Sequence, residues 1–68
     1  MKYYYYVALI TKSGTVFYTN GNVKTTFNDF PLLETKNKLA ENHSITPGDI
    51  VITFYNEITE ENYKTLQQ

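Results

Sequence analysis

Lys2-Tyr3-Tyr4-Tyr5-Tyr6-Val7-Ala8-Leu9-Ile10-Thr11 is the stretch around which the rest of the chain must be arranged. Its aromatic and β-branched content favours a strand. Successive side chains of a strand point to opposite faces. One face therefore carries Tyr3, Tyr5, Val7 and Leu9, and the other carries Tyr4, Tyr6, Ala8 and Ile10. Neither face is polar, so each needs cover: a helix on one, and on the other a second helix, a second subunit or a ligand.

Working outward, Lys12-Ser13-Gly14 reads as a tight turn into a second, antiparallel strand beginning Thr15-Val16-Phe17-Tyr18-Thr19. Asn20-Gly21-Asn22 is either a hairpin turn or a bulge that lets the strand run on through Val23 to Phe27. The apolar parity changes from Val16/Tyr18 to Val23/Thr25/Phe27, which favours the bulge. Asn28 or Asp29 can cap a helix from Phe30 to Glu41 or Asn42, with Pro31 in its first turn. Its expected apolar stripe is Phe30, Leu32, Leu33, Leu39 and Ala40. Thr46-Pro47-Gly48-Asp49 has the composition of a type II turn. Ile50-Val51-Ile52-Thr53-Phe54-Tyr55 is a third strand, with Ile50, Ile52 and Phe54 on one face and Val51, Thr53 and Tyr55 on the other. Thr59 caps a short last helix, with Glu60 and Glu61 in its first turn and Ile58, Tyr63 and Leu66 as anchors.

The expected architecture is a single α+β domain over residues 1–68, in the order ββαβα. A helical crossover that skips one strand gives a three-stranded sheet of order 2-1-3, with the tyrosine strand in the centre. The long helix is expected over the Val7/Leu9 and Ile50/Ile52/Phe54 face. Tyr4, Tyr6, Ala8, Ile10, Val51, Thr53 and Tyr55 would then form a face that the short last helix cannot cover. Each aromatic has roughly 150–250 Å² to bury. At about 25 cal/mol/Å², three such rings represent on the order of 10 kcal/mol as an upper bound.

Composition narrows the function. A 68-residue chain without cysteine has neither disulfides nor thiolate chemistry, and it must rely on aromatic packing or oligomerisation. All six cations are lysines and the net charge is −1, which argues against a DNA-duplex partner. No apolar run approaches membrane-spanning length, and Lys2 leads into tyrosines rather than a signal-peptide core, so a cytoplasmic location is expected. The single histidine, His43, reads as a helix-end residue, and its neighbour Ser44 cannot readily face it as a nucleophile. Asp29, Glu60 and Glu61 have capping roles, Asp49 lies in a turn, and Glu57 is the least explained carboxylate. No metal-ligand spacing and no phosphate-cradling glycine loop is present, so no catalytic residue, metal or cofactor is assigned.

The tyrosines carry the functional signal, because aromatic rings stack on bases and dominate protein interfaces. The expected interface or ligand-binding residues are Tyr4, Tyr6, Tyr18, Lys24, Thr53 and Tyr55, with Lys24 and nearby threonines meeting phosphates.

Three pieces of the chain carry a resemblance: Tyr3-Tyr4-Tyr5-Tyr6-Val7, Thr19-Asn20-Gly21-Asn22 and Glu57-Ile58-Thr59-Glu60-Glu61-Asn62-Tyr63. In these the chain resembles small ββαβα proteins of unknown function from phages and conjugative elements. That resemblance implies a non-catalytic homo-oligomer in the host cytosol that counters host defence. Its expected mode is sequestration of a nucleotide-type signalling molecule at a subunit interface. The alternative is an inhibitor or adaptor that binds a host protein through the tyrosine face or an exposed strand edge.

Overall fold

The structure is a computed structural model that describes residues 1–66, with side chains as far as Thr65, so the expected anchor Leu66 lies outside the described side chains. Strand β1 (Lys2–Lys12) turns through Ser13 and Gly14 into β2 (Thr15–Thr25). Both turn residues have positive φ, 53° and 78°. That pair of conformations suits the twist of a two-residue hairpin, and Lys12 pairs with Thr15 across it. Helix α1 (Leu32–His43) then carries the chain to a 3-10 turn at Pro47–Asp49 and strand β3 (Ile50–Ile58), and α2 (Glu60–Leu66) follows. The sheet order is β2-β1-β3, antiparallel at both junctions, with the tyrosine strand central as expected.

The faces are assigned the other way round from the expectation. Tyr4, Tyr6, Ala8 and Ile10 form the core with Phe30, Leu39, Ala40 and Ile50, beneath α1. Val7 and Leu9 lie on the opposite face and are only half-buried. Ala8 and Ile10 are fully buried. The small side chain of Ala8 leaves room for close packing, and Ile10 and Ile50 fill the space beside it. Phe30 seals the other end, edge-on to Tyr4 with ring centroids 5.5 Å apart and tilted against Tyr6 at 6.2 Å.

The bulge sits in β3 rather than in β2. The β1–β2 register runs without a break from Lys2–Thr25 to Lys12–Thr15, so Asn20-Gly21 is neither a turn nor a bulge. Along β3, Ile52 pairs with Ala8 but Phe54 pairs with Val7, which leaves Thr53 as the extra residue. Its hydroxyl donates to the Val7 carbonyl at 3.2 Å. One inserted residue inverts the facing of everything beyond it. Ile50 and Ile52 therefore share the helix side with Ile10 and Ala8, Phe54 turns to the other side, and Tyr55 returns to the helix side, stacked on Phe30 at 4.5 Å and 13°.

Gly21 has its own purpose. It pairs with Tyr6 across the strands, and a Cβ there would stand 2.7 Å from the Tyr6 hydroxyl oxygen. The bare backbone of Gly21 is the surface on which the Tyr6 ring lies.

Thr59 caps α2, its hydroxyl accepting from the Asn62 N–H at 3.1 Å. Neither Asn28 nor Asp29 caps α1: Pro31 occupies the N-cap without a side-chain hydrogen bond, and Asp29 accepts instead from the Phe30 N–H at 2.7 Å. Leu32 and Leu33 are exposed, because Phe30 and Pro31 already occupy the space over this end of the sheet. The buried helix residues are Thr35, Leu39 and Ala40. Gly48 sits inside the 3-10 turn without positive φ, so Thr46–Asp49 is not a type II turn.

Burial pushes the Tyr6 hydroxyl above the ordinary tyrosine pKa of 10.0. A pKa raised by folding means that the native state holds the proton more tightly than the unfolded chain does. The corresponding stability is complete below the unfolded value and is lost as pH rises above it. Urea midpoints measured from about pH 8 to about pH 11 are expected to fall at the alkaline end, and Tyr6→Phe is expected to flatten that fall. An equal slope in the variant would assign the loss to other groups.

Candidate functional site: the open face of the sheet

The face away from α1 is built from alternate residues of all three strands. In the register, Leu9 lies between Tyr18 and Val51, Val7 between Asn20 and Phe54, and Thr11 beside Val16. Tyr18 is 69% exposed, Val16 58%, Val51 54% and Phe54 52%. These side chains adjoin one another across neighbouring strands and form one apolar band over the hairpin half of the sheet. Exposed apolar patches beyond a few hundred Å² are uncommon on monomers and usually mark interaction sites.

Helix α2 covers only the far end of this face. The Tyr63 ring rests on Tyr3 at 4.9 Å, and the Tyr3 hydroxyl donates to a Glu60 carboxylate oxygen at 3.0 Å. That hydrogen bond holds the Tyr3 hydroxyl above its ordinary pKa. Between α2 and the apolar band lies a groove of about 460 Å³, lined by Tyr5, Phe54, Asn56, Ile58, Asn62 and Thr65. Tyr5 and Phe54 meet there edge-on at 6.5 Å.

The six residues expected to form the site fall into separate places. Tyr4 and Tyr6 are core side chains beneath α1, 4% and 8% exposed, and belong to no open face. Tyr55 lies at the rim of that core, edge-on to Tyr4 at 6.1 Å as well as stacked on Phe30. Thr53 serves the bulge. Only Tyr18 and Lys24 remain on the open face, six residue steps apart along β2, roughly 20 Å at about 3.3 Å per residue. Phe54 was missed because strict alternation along β3 assigns it to the helix side. A one-residue insertion in a strand has no local signature at Thr53.

The candidate catalytic groups are also apart. His43 sits beside Phe17, their rings 5.7 Å apart, and Phe17 pairs with Ile10. Glu57 pairs with Tyr4 at the other end of β1 and lies 3.7 Å from the Lys2 ammonium. The two positions are again six residue steps apart along β1, roughly 20 Å, so Glu57 and His43 cannot act on one bond. Glu57 makes a surface ion pair and His43 is the last residue of α1. Among the described residues, no group of three or more metal-ligating side chains occurs, and no helix is long and apolar enough to cross a membrane.

No protein-family pattern, curated protein or solved structure matches this chain, so the functional reading rests on the open face and its chemistry.

Proposed function

We propose that this chain is a small non-catalytic binding protein whose copies associate through the open face of the sheet. The observation that carries the reading is the apolar band of Val7, Leu9, Val16, Tyr18, Val51 and Phe54, which α2 leaves uncovered. Pairing two such faces buries aromatic and aliphatic surface in each copy, and apolar burial is the dominant favourable term in association. In this reading the ligand is a nucleotide-type signalling molecule held where facing copies meet. Tyr18 and Phe54 would stack on its base, while Lys24, roughly 20 Å from Tyr18 along β2, is too far to meet its phosphates within the same copy. The biological role is the one that the resemblance to phage and mobile-element proteins implies: sequestering a signal of host defence.

Sedimentation velocity at several concentrations tests the association. The wild-type chain is expected to sediment as an oligomer, and Phe54→Lys or Tyr18→Lys as a monomer that keeps its fold. A wild-type monomer at high concentration would sink the proposal. Calorimetry of the oligomer against cyclic and linear nucleotides tests the ligand, with heat expected from at least one and lost in Tyr18→Ala.

A second reading is favoured by the unpaired outer edge of β2. It runs 11 residues and carries a single charged side chain, Lys24. An edge of that length can accept a strand from another protein. In that case the chain is an inhibitor or adaptor of a host protein, retained in stoichiometric amount in a pull-down from host lysate.

A further inference from the structure

The positive-φ pair Ser13 and Gly14 makes a tight turn in which the Thr15 N–H donates to the Lys12 carbonyl. Hydrogen-bonded and non-hydrogen-bonded pairs alternate along an antiparallel ladder. From Lys12/Thr15 onward, Phe17, Thr19, Gly21 and Val23 therefore bond to β1, and Val16, Tyr18, Asn20, Asn22 and Lys24 do not. The N–H and C=O groups of these last five residues point outward, along the free edge of the sheet. The Thr53 bond to Val7 agrees with this alternation, because Val7 lies opposite Asn20 and so turns its carbonyl toward β3.

Helix α1 stands apart from this edge. Between the two, on the helix side of the sheet, lies a cleft of about 160 Å³ with Tyr6, Val23 and Leu39 among its walls. Asn22 borders it from β2. The Asn22 side chain lies opposite Tyr5 and thus on the open face, so it is the outward-directed main chain of Asn22 that meets the cleft. Free edge and cleft are contiguous. An engineered cavity of about 150 Å³ holds one benzene molecule, so a cleft of this volume has room for a single ring. Thr35 also lines it, 5% exposed, with its hydroxyl oxygen buried and unpartnered. Buried polar atoms are almost always paired, so this one calls for a partner group. Glu34 and Lys38 on the α1 rim carry opposite signs, which suits an uncharged segment.

We propose that an uncharged extended segment of another protein pairs antiparallel with β2 and anchors one tyrosine side chain in this cleft. A residue opposite Val23 shares its face, so its side chain turns to the helix side and enters the cleft. Its ring would lie against Tyr6, Val23 and Leu39, and its hydroxyl would pair with that of Thr35. The outward groups of Asn22 and Lys24, on either side of Val23, supply the main-chain bonds. The proposal rests on the reading that the β2 edge receives a strand, and it does not depend on association through the open face.

The test is a titration of the ¹⁵N-labelled full chain with a capped peptide of threonines around one central tyrosine. Saturable shifts are expected at Asn22, Val23, Lys24 and Thr35. Phenylalanine in place of the tyrosine keeps the ring but leaves Thr35 unpaired, and is expected to bind about fivefold more weakly, as for the loss of one neutral hydrogen bond. In Thr35→Val, which removes the hydroxyl at nearly constant volume, the two peptides are expected to bind equally. N-methylation of the threonines flanking the tyrosine blocks the bonds to Asn22 and Lys24 and is expected to abolish binding. The peptide comparisons use the wild-type chain, so they decide the matter should Thr35→Val fail to fold. No saturable shift with the tyrosine peptide, or equal binding of the tyrosine and phenylalanine peptides by wild type, would overturn the proposal. Equal binding of an all-threonine peptide would overturn the anchor alone and leave the edge reading standing. Undiminished binding after N-methylation would sink the edge reading as well.

Discussion

Phe30→Ala is expected to abolish cooperative unfolding or to lower the urea midpoint by more than any other single truncation in the chain. Phe30 lies just ahead of α1, is 8% exposed, and touches Tyr4, Tyr6 and Tyr55 with its ring. Truncating a buried phenylalanine costs about 3–5 kcal/mol, part of it from the cavity left behind. At roughly 0.05–0.15 kcal/mol per residue, a chain of 68 residues has about 3–10 kcal/mol of net stability. The loss is therefore comparable with the whole. Phe54→Ala is the internal control: the same side chain is removed, but from a half-exposed site on the open face, and a cost of about 1 kcal/mol is expected in the monomer. Circular dichroism during urea unfolding of both variants makes the comparison. Equal losses would mean that the core does not lie beneath α1.

Gly21→Ala is the second large effect, and its sign is the informative part. Glycine inside a strand ordinarily weakens it by about 0.5–1 kcal/mol relative to alanine, so the substitution should help wherever there is space. At this position the new Cβ would stand 2.7 Å from the Tyr6 hydroxyl oxygen and 2.9 Å from the ring carbon that bears it. The ring cannot swing away cheaply, because Phe30 packs against it and only 8% of Tyr6 is exposed. Overpacking of this kind costs about 1–3 kcal/mol, enough to reverse the intrinsic gain. Combining Gly21→Ala with Tyr6→Val removes the clashing ring. The double variant is expected to be less destabilised than the sum of the singles by about 1 kcal/mol or more. A Gly21→Ala chain as stable as wild type, or additive singles, would show that Tyr6 does not rest on this backbone.

Element order and sheet order were legible because they depend on local signals. Ser13-Gly14 supplies the positive φ values of the hairpin, and the β-branched run Ile50–Ile52 marks the third strand. Thr59 marks the start of α2. A helix between two strands then forces a crossover, which puts β1 in the centre. Less of the candidate site was legible. Of the six expected residues, Tyr18 and Lys24 lie on the open face, while Tyr4 and Tyr6 are core and Thr53 is structural. The burial of Thr35 had no sequence signal, since it reads there as an ordinary helix residue.

The amino-acid order of this protein settles that β1 is apolar on both faces, Tyr3/Tyr5/Val7/Leu9 and Tyr4/Tyr6/Ala8/Ile10, so that exposing either to water carries a cost. It does not settle which side receives the helix, because hydrophobic alternation distinguishes faces only when one of them is polar. That choice is made by contacts distant in the chain. Ala8 and Ile10 meet Ile50 and Ile52, and the Thr53 hydroxyl pins a bulge to the Val7 carbonyl 46 residues away. One inserted residue then sends Phe54 to the open face and Tyr55 to Phe30. The tyrosine run thus divides into a core pair, Tyr4 and Tyr6, and an outer pair, Tyr3 beneath α2 and Tyr5 in the groove beside it.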